Sequence, residues 1–213
     1  MAGDGDARPE PTARAEYAER LARLQGARWK RLLDVQAPYR WNLRRLHLGR
    51  TLDVGCGIGR NLAHLPPGSV GVDHNFEAVA RACSAGLRAY TTGDLPPAPG
   101  GFASLLFSHV LEHVTEPTAL VGAYLPFLAP AGRMVLITPQ EAGYRTDPTH
   151  VSFLAGEDLA RIVQDVGCVV ERRYSFPFPR RAGRVFRYNE FVVVGRLSAR
   201  PGRTGAGPVA GGS

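Results

Sequence analysis

The sequence predicts a single doubly wound α/β domain, in which a mostly parallel sheet carries helices on both faces. Three observations support this prediction. Short apolar runs alternate with segments of helical length, the first run ends in a glycine-rich turn, and an acidic residue lies at the end of three successive runs. The length of 213 residues and the apolar fraction of 44% suit one ordinary domain with a buried core.

The predicted elements follow a polar N-terminal stretch. Residues 1–12 are rich in Gly, Asp and Pro and are expected to be disordered, and residues 13–49 to form a helical lid. Residues 50–198 are predicted to form the α/β domain, and the Gly-rich tail 199–213 to be disordered. The predicted strands cover residues 50–54, 69–73, 89–91, 102–108, 133–138, 169–175 and 189–196, and the predicted helices cover residues 60–64, 75–85, 115–128 and 156–166.

Composition argues against several classes of protein. No apolar run is long enough to cross a bilayer, and the N-terminus lacks the apolar core of a secretory signal, so a cytoplasmic protein is expected. Three cysteines without paired spacing argue against a disulfide framework and a zinc knuckle. The net charge of +7 could serve a polyanionic partner. Because Lys30 is the only lysine, however, a compositional bias toward arginine is favoured as the explanation.

The turn after the first predicted strand points to a nucleoside-like ligand without phosphate. Gly55, Gly57 and Gly59 allow unusual dihedral angles and let the backbone approach a ligand closely. A dinucleotide fingerprint starting at Gly55 would need glycine at position 60, which is Arg60. The carboxylate of Asp53 would repel a pyrophosphate and attract a positively charged group.

Two further acids lie at the ends of the next two predicted strands. Asp73 ends the second strand, where a carboxylate can accept hydrogen bonds from ribose hydroxyls. Asp94 follows the third strand and could accept a hydrogen bond from an adenine amino group, with Leu95 packing on the ring. Such a row of acids at one sheet edge is hard to explain as solvated surface.

The segments LDVGCGIG, GVDHN, TGDLP and FSHVLEHV, in this order, resemble the motifs of the class I (Rossmann-like) S-adenosylmethionine-dependent methyltransferases. The similarity extends over residues 50–196. It implies a seven-stranded sheet with an antiparallel last hairpin and S-adenosylmethionine as cofactor. The residues expected to bind this cofactor are Asp53, Gly55, Cys56, Gly57, Gly59, Asp73, His74, Asp94, Leu95, Ser108 and His109.

The segment His109 to His113 also spells H-x-x-E-H, a zinc-peptidase pattern in which two histidines one helical turn apart bind the metal. A zinc peptidase is therefore an alternative from another class. It is disfavoured because His109 directly follows a predicted strand and because a peptidase would leave the three acids unexplained. No metal site is predicted.

The acceptor of the methyl group is the open part of the prediction. His150, in the loop after the fifth strand, is the favoured candidate base, with Asp147 close enough to orient it, and His113 is a second candidate. Both histidines could instead fix loops. A basic segment, residues 172–187, could bind an anionic acceptor or an RNA backbone, although a solvated loop between the last two strands is the slightly favoured explanation.

The favoured function is methyl transfer to a small molecule, with oxygen as the acceptor atom: a glycan, a lipid-linked intermediate or a secondary metabolite. An N-methyltransferase or RNA-modifying enzyme is the second choice, and a non-catalytic S-adenosylmethionine-binding module the third. Nucleic acid is not the favoured partner, because the chain lacks both an N-P-P-aromatic motif and a visible RNA-binding domain.

Overall fold

The computed structural model describes residues 36–198 of the chain. This range contains seven strands and five α-helices. The strands are β1 (Thr51–Val54), β2 (Val70–Asp73), β3 (Ala89–Thr91), β4 (Phe102–Ser108), β5 (Leu128–Pro139), β6 (Cys168–Phe176) and β7 (Glu190–Leu197). The helices are α1 (Ala37–Arg45), α2 (Phe76–Ser84), α3 (Pro117–Tyr124), α4 (Glu141–Tyr144) and α5 (Gly156–Asp165).

The seven strands form one sheet in the order β3-β2-β1-β4-β5-β7-β6. Strands β1 to β5 pair in parallel, and β7 is antiparallel to both of its neighbours, β5 and β6. The predicted fold class, including the antiparallel last hairpin, is confirmed. The strand order reverses between β1 and β4, and at such a point a doubly wound sheet opens a crevice at its carboxyl edge.

Each face of the sheet buries its own apolar layer. On one face Leu52, Leu105 and Phe107 pack with Val121 of α3 and Leu159 of α5. On the other face Leu106, Val135 and Ile137 pack with Leu43 of α1. A fully buried side chain of this size contributes roughly 1.5–3 kcal/mol, so the sheet is a rigid base for the loops at its carboxyl edge.

The segment after the glycine turn differs from the prediction. Instead of an α-helix over residues 60–64, the chain forms a single 3-10 turn, Leu62–His64. Gly59 takes a left-handed φ of +82°, and Pro66 and Pro67 follow directly, so the helix has no room to extend. The sequence also missed the short helix α4 and the early start of β5 at Leu128.

The structure describes only part of the predicted N-terminal lid. Within it, α1 packs against the face of the sheet, and Trp41 is exposed and stacks on Phe176. Residues 1–12, most of the remaining lid and the tail 199–213 lie outside the described residues. Among residues 36–198, no helix combines the length and apolar character that crossing a membrane requires.

Candidate active site at the carboxyl edge of the sheet

The glycine turn has a tight backbone conformation that only glycine suits. Gly55, Gly57 and Gly59 all have left-handed φ angles, of +73°, +53° and +82°. A Cβ atom on Gly55 would lie 2.6 Å from Cγ2 of Val110, so a side chain is excluded at this position. Glycine is thus required both by the backbone conformation and by the close approach of the segment after β4.

The amide groups of this turn are bonded within the protein. Gly55 and Cys56 both donate to the carbonyl of Val72, over 2.8 and 3.1 Å, and Gly59 donates to the carbonyl of Cys56 over 2.9 Å. The N–H groups of these three residues therefore already have acceptors within the protein. A turn whose donors are consumed in this way offers little to a phosphate.

Asp73 connects the turn to the end of β2. Its Oδ2 accepts a hydrogen bond of 2.7 Å from the backbone N–H of Gly57, and its Oδ1 accepts one of 2.9 Å from that of Asn75. The side chain is buried but lies directly beside Gly57, at the edge where β1 and β2 end. A carboxylate oxygen has two lone pairs, so each oxygen keeps one for a further donor.

Asp53 is the most heavily buried acid near the turn, at 1% exposure. Its Oδ2 has no hydrogen-bond partner among the described residues. Burial, together with the nearby charge of Asp73, raises the pKa of Asp53 to about 8, although a hydrogen bond from the backbone of Leu62 opposes the shift. An unsatisfied buried carboxyl group is costly, so its retention here favours a functional role.

The other predicted cofactor residues line the same edge in different ways. Asp94 is exposed, with Oδ2 accepting a hydrogen bond from the hydroxyl of Thr91, and Leu95 is partly buried against the core. The ring of His74 is half exposed, and its Nδ1 lies 3.6 Å from Oδ1 of Asp73. Ser108 ends β4 and is partly exposed.

Cys56 turns its side chain into the protein. A Cβ atom on Gly71 of β2 would lie 2.6 Å from the sulfur, which shows how tightly the thiol packs under that strand. Burial, with the nearby Asp53, raises the pKa of the Cys56 thiol. A contact between Cys56 and a cofactor would therefore involve its backbone and not the sulfur.

His109 lies between two carboxylates. Its Nδ1 is 3.2 Å from Oε1 of Glu112, and its Nε2 is 2.8 Å from Oε1 of Glu190 at the start of β7. Desolvation disfavours the charged ring, but the two carboxylates outweigh it and raise the pKa of His109 to about 10. Sequence reasoning missed Glu190, because no local pattern links it to a residue 81 positions earlier.

This arrangement does not fit the zinc-peptidase alternative. His109 has a left-handed φ of +57° and precedes a single 3-10 turn, Leu111–His113, instead of lying on a helix. His109 and His113 therefore do not form the one-turn helical pair that the peptidase pattern requires.

A second group of side chains brings together the two predicted catalytic histidines. The rings of His113 and His150 meet edge to face with centroids 4.8 Å apart. Nε2 of His150 lies 4.0 Å from Oε1 of Glu112, which is 1% exposed. Burial lowers the pKa of His113. We call Glu112, His113 and His150 the edge cluster.

The edge cluster adjoins the glycine turn. Val110 packs so closely on Gly55 that it leaves no room for a Cβ atom there, and Glu112 follows Val110 by two positions. The carbonyl of Glu112 accepts hydrogen bonds from the N–H groups of Val151 and Ser152, over 2.8 and 3.2 Å, which fixes the His150 loop beside it. The predicted cofactor side and the predicted acceptor side thus meet at the segment after β4.

Some arginines of the basic segment 172–187 form ion pairs with carboxylates and others do not. Arg180 forms a two-pronged ion pair with Glu141 of α4, and Arg173 lies 2.9 Å from Glu157. Within residues 36–198, no ion pair engages Arg181 or Arg184. Both belong to the 3-10 turn Arg180–Arg184, which packs against α4 and so lies near the His150 loop.

Comparisons with known proteins agree with this geometry. A sequence model of the family described as "Methyltransferase domain" matches residues 13–172. The fold is similar to a SAM-dependent methyltransferase from Archaeoglobus fulgidus, at 18% identity and a TM-score of 0.62, covering 84% of this chain and 99% of that one. A search of curated protein sequences found no match.

Two further solved structures show the same similarity of fold. One is magnesium protoporphyrin IX methyltransferase from Synechocystis with bound SAH, at 16% identity and a TM-score of 0.63, covering 89% of this chain and 98% of that one. The other is a SAM-dependent methyltransferase from Thermotoga maritima, at 16% identity and a TM-score of 0.64, covering 85% and 98%.

The strand order, the glycine turn and the acids beside it match the fold of the class I methyltransferases, among whose solved structures is one with bound SAH. The chain belongs to the methyltransferase-domain family that its motifs resemble.

Proposed function

We propose that this protein transfers a methyl group from S-adenosylmethionine to a hydroxyl oxygen of a small molecule. The cofactor would lie along the carboxyl edges of β1 to β4, with Asp73 accepting from the ribose hydroxyls. Asp94 and Leu95 would border the adenine. Gly55, Gly57 and Gly59 would pass beneath the methionine portion, where side chains would block it.

Asp53 supports a cofactor with a positive charge. Its Oδ2 is buried and lacks a partner among residues 36–198, and the amide groups beside it already have acceptors. S-adenosylmethionine contains an ammonium group and a sulfonium group, which would suit this acid. It contains no phosphate, so it would not need N–H donors from the turn, which are already bonded within the protein. We infer that the Asp53 carboxylate faces the ammonium group, directly or through a water molecule.

The observation that carries the proposed acceptor chemistry is the fixed orientation of His150. Its Nδ1 lies 2.7 Å from the carbonyl of Tyr144, and because a carbonyl only accepts, Nδ1 bears the proton. The lone pair is therefore on Nε2, which faces Glu112 in the edge cluster. A ring fixed in this tautomer can take the proton of a hydroxyl group.

Each of these residues would have a separate role in the reaction. When bound, S-adenosylmethionine supplies an electrophilic methyl group. Nε2 of His150 would accept the proton that the acceptor hydroxyl gives up as its oxygen takes the methyl group. His113 packs edge to face on His150 and holds that ring in place. The unpaired Arg181 and Arg184 favour an acceptor that carries a phosphate or carboxylate.

Transfer from methyl-labelled S-adenosylmethionine to a panel of small acceptors tests this function. The panel pairs hydroxyl compounds with the matching amines, and includes sugars, phenols and their phosphorylated forms. We expect label in hydroxyl compounds, recovered as methyl ethers. Label confined to amines or to added RNA would contradict the proposal and favour the N-methyltransferase or RNA-modifying alternative.

A further inference from the structure

We propose that Glu112, His113 and His150 form a binding site for one divalent cation of the zinc class, open toward the acceptor. Each of the three side chains offers one ligand atom, and these atoms all lie within 4.8 Å of one another. The ligands come from two separate segments, the turn after β4 and the loop after β5, that the fold brings to one edge.

The hydrogen bonds of both histidines leave the lone pair on Nε2. Nδ1 of His150 donates to the carbonyl of Tyr144. Nδ1 of His113 lies 3.2 Å from the carbonyl and 3.1 Å from the hydroxyl oxygen of Thr149. That hydroxyl donates to Oδ1 of Asp147 over 2.7 Å, so both Thr149 atoms accept from His113. Metal-binding histidines are oriented by outer hydrogen bonds of this kind.

Glu112 provides an independent observation that points to a cation. It is 1% exposed, its Oε1 is shared with His109, and its Oε2 has no hydrogen-bond partner among the described residues. Glu112 and Glu190 both contact the ring of His109, so two largely buried carboxyl groups converge on one imidazole. A cation bound by the carboxyl group of Glu112 would satisfy this buried group.

The donor set selects the kind of ion. Two imidazole nitrogens and one carboxylate suit zinc and its neighbours in the first transition row, whereas magnesium and calcium prefer oxygen ligands. A tetrahedral zinc ion at about 2.1 Å from each ligand requires ligands roughly 3.4 Å apart, so small side-chain shifts that keep both Nδ1 hydrogen bonds would complete the site. Three protein ligands leave a fourth position for water or an acceptor oxygen.

The ion would act on the proposed reaction, so this part of the inference rests on the proposed function. A hydroxyl bound at the fourth position would lose its proton to solvent more readily, since a divalent ion stabilises the oxygen anion. The oxygen would then bond to the methyl carbon as the carbon–sulfur bond breaks. Because the ion would occupy Nε2 of His150, that atom would accept the hydroxyl proton only in the metal-free protein. In the loaded protein His150 would be a ligand and solvent would take the proton.

Metal binding to the full chain, first stripped with a chelator, tests the site directly. The probes are Zn²⁺ by calorimetry and Co²⁺ by its visible absorption. We expect one ion per chain and a tetrahedral or five-coordinate cobalt spectrum. In Glu112→Gln and His150→Ala the affinity should fall at least about 100-fold, because each loses one of three ligands. His47→Asn, an exposed histidine before β1 with a left-handed φ that asparagine tolerates, should bind like the wild type.

The outcomes separate this inference from the proposed function. Equal zinc affinity in the wild type and in both cluster variants, a preference for Mg²⁺ over Zn²⁺, or no stoichiometric binding would overturn the metal site. S-adenosylmethionine binding in chelator, and methyl transfer with zinc restored, report on the proposed function alone. If the chelated protein still binds the cofactor and methylates a hydroxyl at the full rate, the proposed function stands. That result would contradict a role of the ion in the reaction. Circular dichroism of Glu112→Gln checks that the variant is folded.

Discussion

The proposed cofactor side and the proposed acceptor side of this site are built in different ways. The cofactor side is formed mainly by backbone. It consists of three glycines with left-handed φ angles, whose turn donates N–H hydrogen bonds to the carbonyl of Val72 and the carboxylate of Asp73. The acceptor side uses side chains from distant segments, with Glu112, His113 and His150 meeting only in the folded protein. A backbone site changes little between relatives that share a cofactor, whereas a side-chain site can be rebuilt for each acceptor.

The largest expected effect comes from His150→Ala, which should lower kcat by about 100- to 10,000-fold. The affinity for S-adenosylmethionine should stay within about twofold, because the change touches only the acceptor side. Single-turnover rates and calorimetry on the same preparation measure the two effects, with His47→Asn as the control. An equal loss of cofactor affinity would show that the two sides are not separate.

Gly55→Ala should weaken cofactor binding by about 30-fold and lower the melting temperature. A side chain at φ +73° costs about 1 kcal/mol, and the new Cβ would lie 2.6 Å from Cγ2 of Val110. Adding Val110→Ala removes the contact but not the backbone strain, so the double variant should recover part of both losses. Full recovery, or none, would mean that the steric account is wrong.

Asp53→Asn should have opposite effects on stability and on binding. Because the folded pKa of Asp53 is about 8, against 3.8 for an ordinary aspartate, the folded protein holds this proton more tightly. Folding stability without cofactor therefore falls as the pH rises from about 4 to about 8. Asparagine removes that loss and should stabilise the protein by on the order of 1–3 kcal/mol at pH 8, with little gain at pH 4.

The same substitution should weaken S-adenosylmethionine binding by about tenfold at pH 8, since the ammonium group loses its carboxylate. Thermal unfolding at several pH values and calorimetry measure the two effects. A variant that is less stable at pH 8 than the wild type would contradict the buried, unsatisfied state assigned to Asp53.

The smallest expected effect concerns the arginines of the turn after β6. Arg181→Gln together with Arg184→Gln should raise KM for an anionic acceptor by about 3- to 10-fold and leave kcat nearly unchanged. The effect should shrink at high salt, because both side chains are exposed. Arg161→Gln, an exposed arginine on α5, is the matched control. An unchanged KM for every anionic acceptor would remove these arginines from the site.

The contrast between the cofactor side and the acceptor side also explains which features could be predicted from the sequence. Gly55 and Asp73 belong to local patterns of strand, turn and acid, so the fold class and the cofactor were predictable. The helix expected over residues 60–64 was wrong because Gly59 and the two prolines after Leu65 stop it within one turn.

The edge cluster shows the limit of such reasoning. His113 and His150 were singled out separately, yet nothing in their spacing shows that their rings touch or that Glu112 lies between them and His109. Glu190 was missed altogether, since only the antiparallel pairing of β7 with β5 carries it to the site. Contacts that depend on tertiary pairing leave no periodic signal in the chain.

The central claim is that the glycine turn and Asp73 bind a phosphate-free, positively charged nucleoside. Calorimetry of the full chain with S-adenosylmethionine and with NAD, in the wild type and in Asp73→Ala, tests it most directly. We predict one S-adenosylmethionine per chain with a Kd on the order of micromolar, no detectable NAD binding, and at least about tenfold weaker binding in the variant. Comparable binding of NAD, or an S-adenosylmethionine affinity unaffected by the loss of Asp73, would contradict the account.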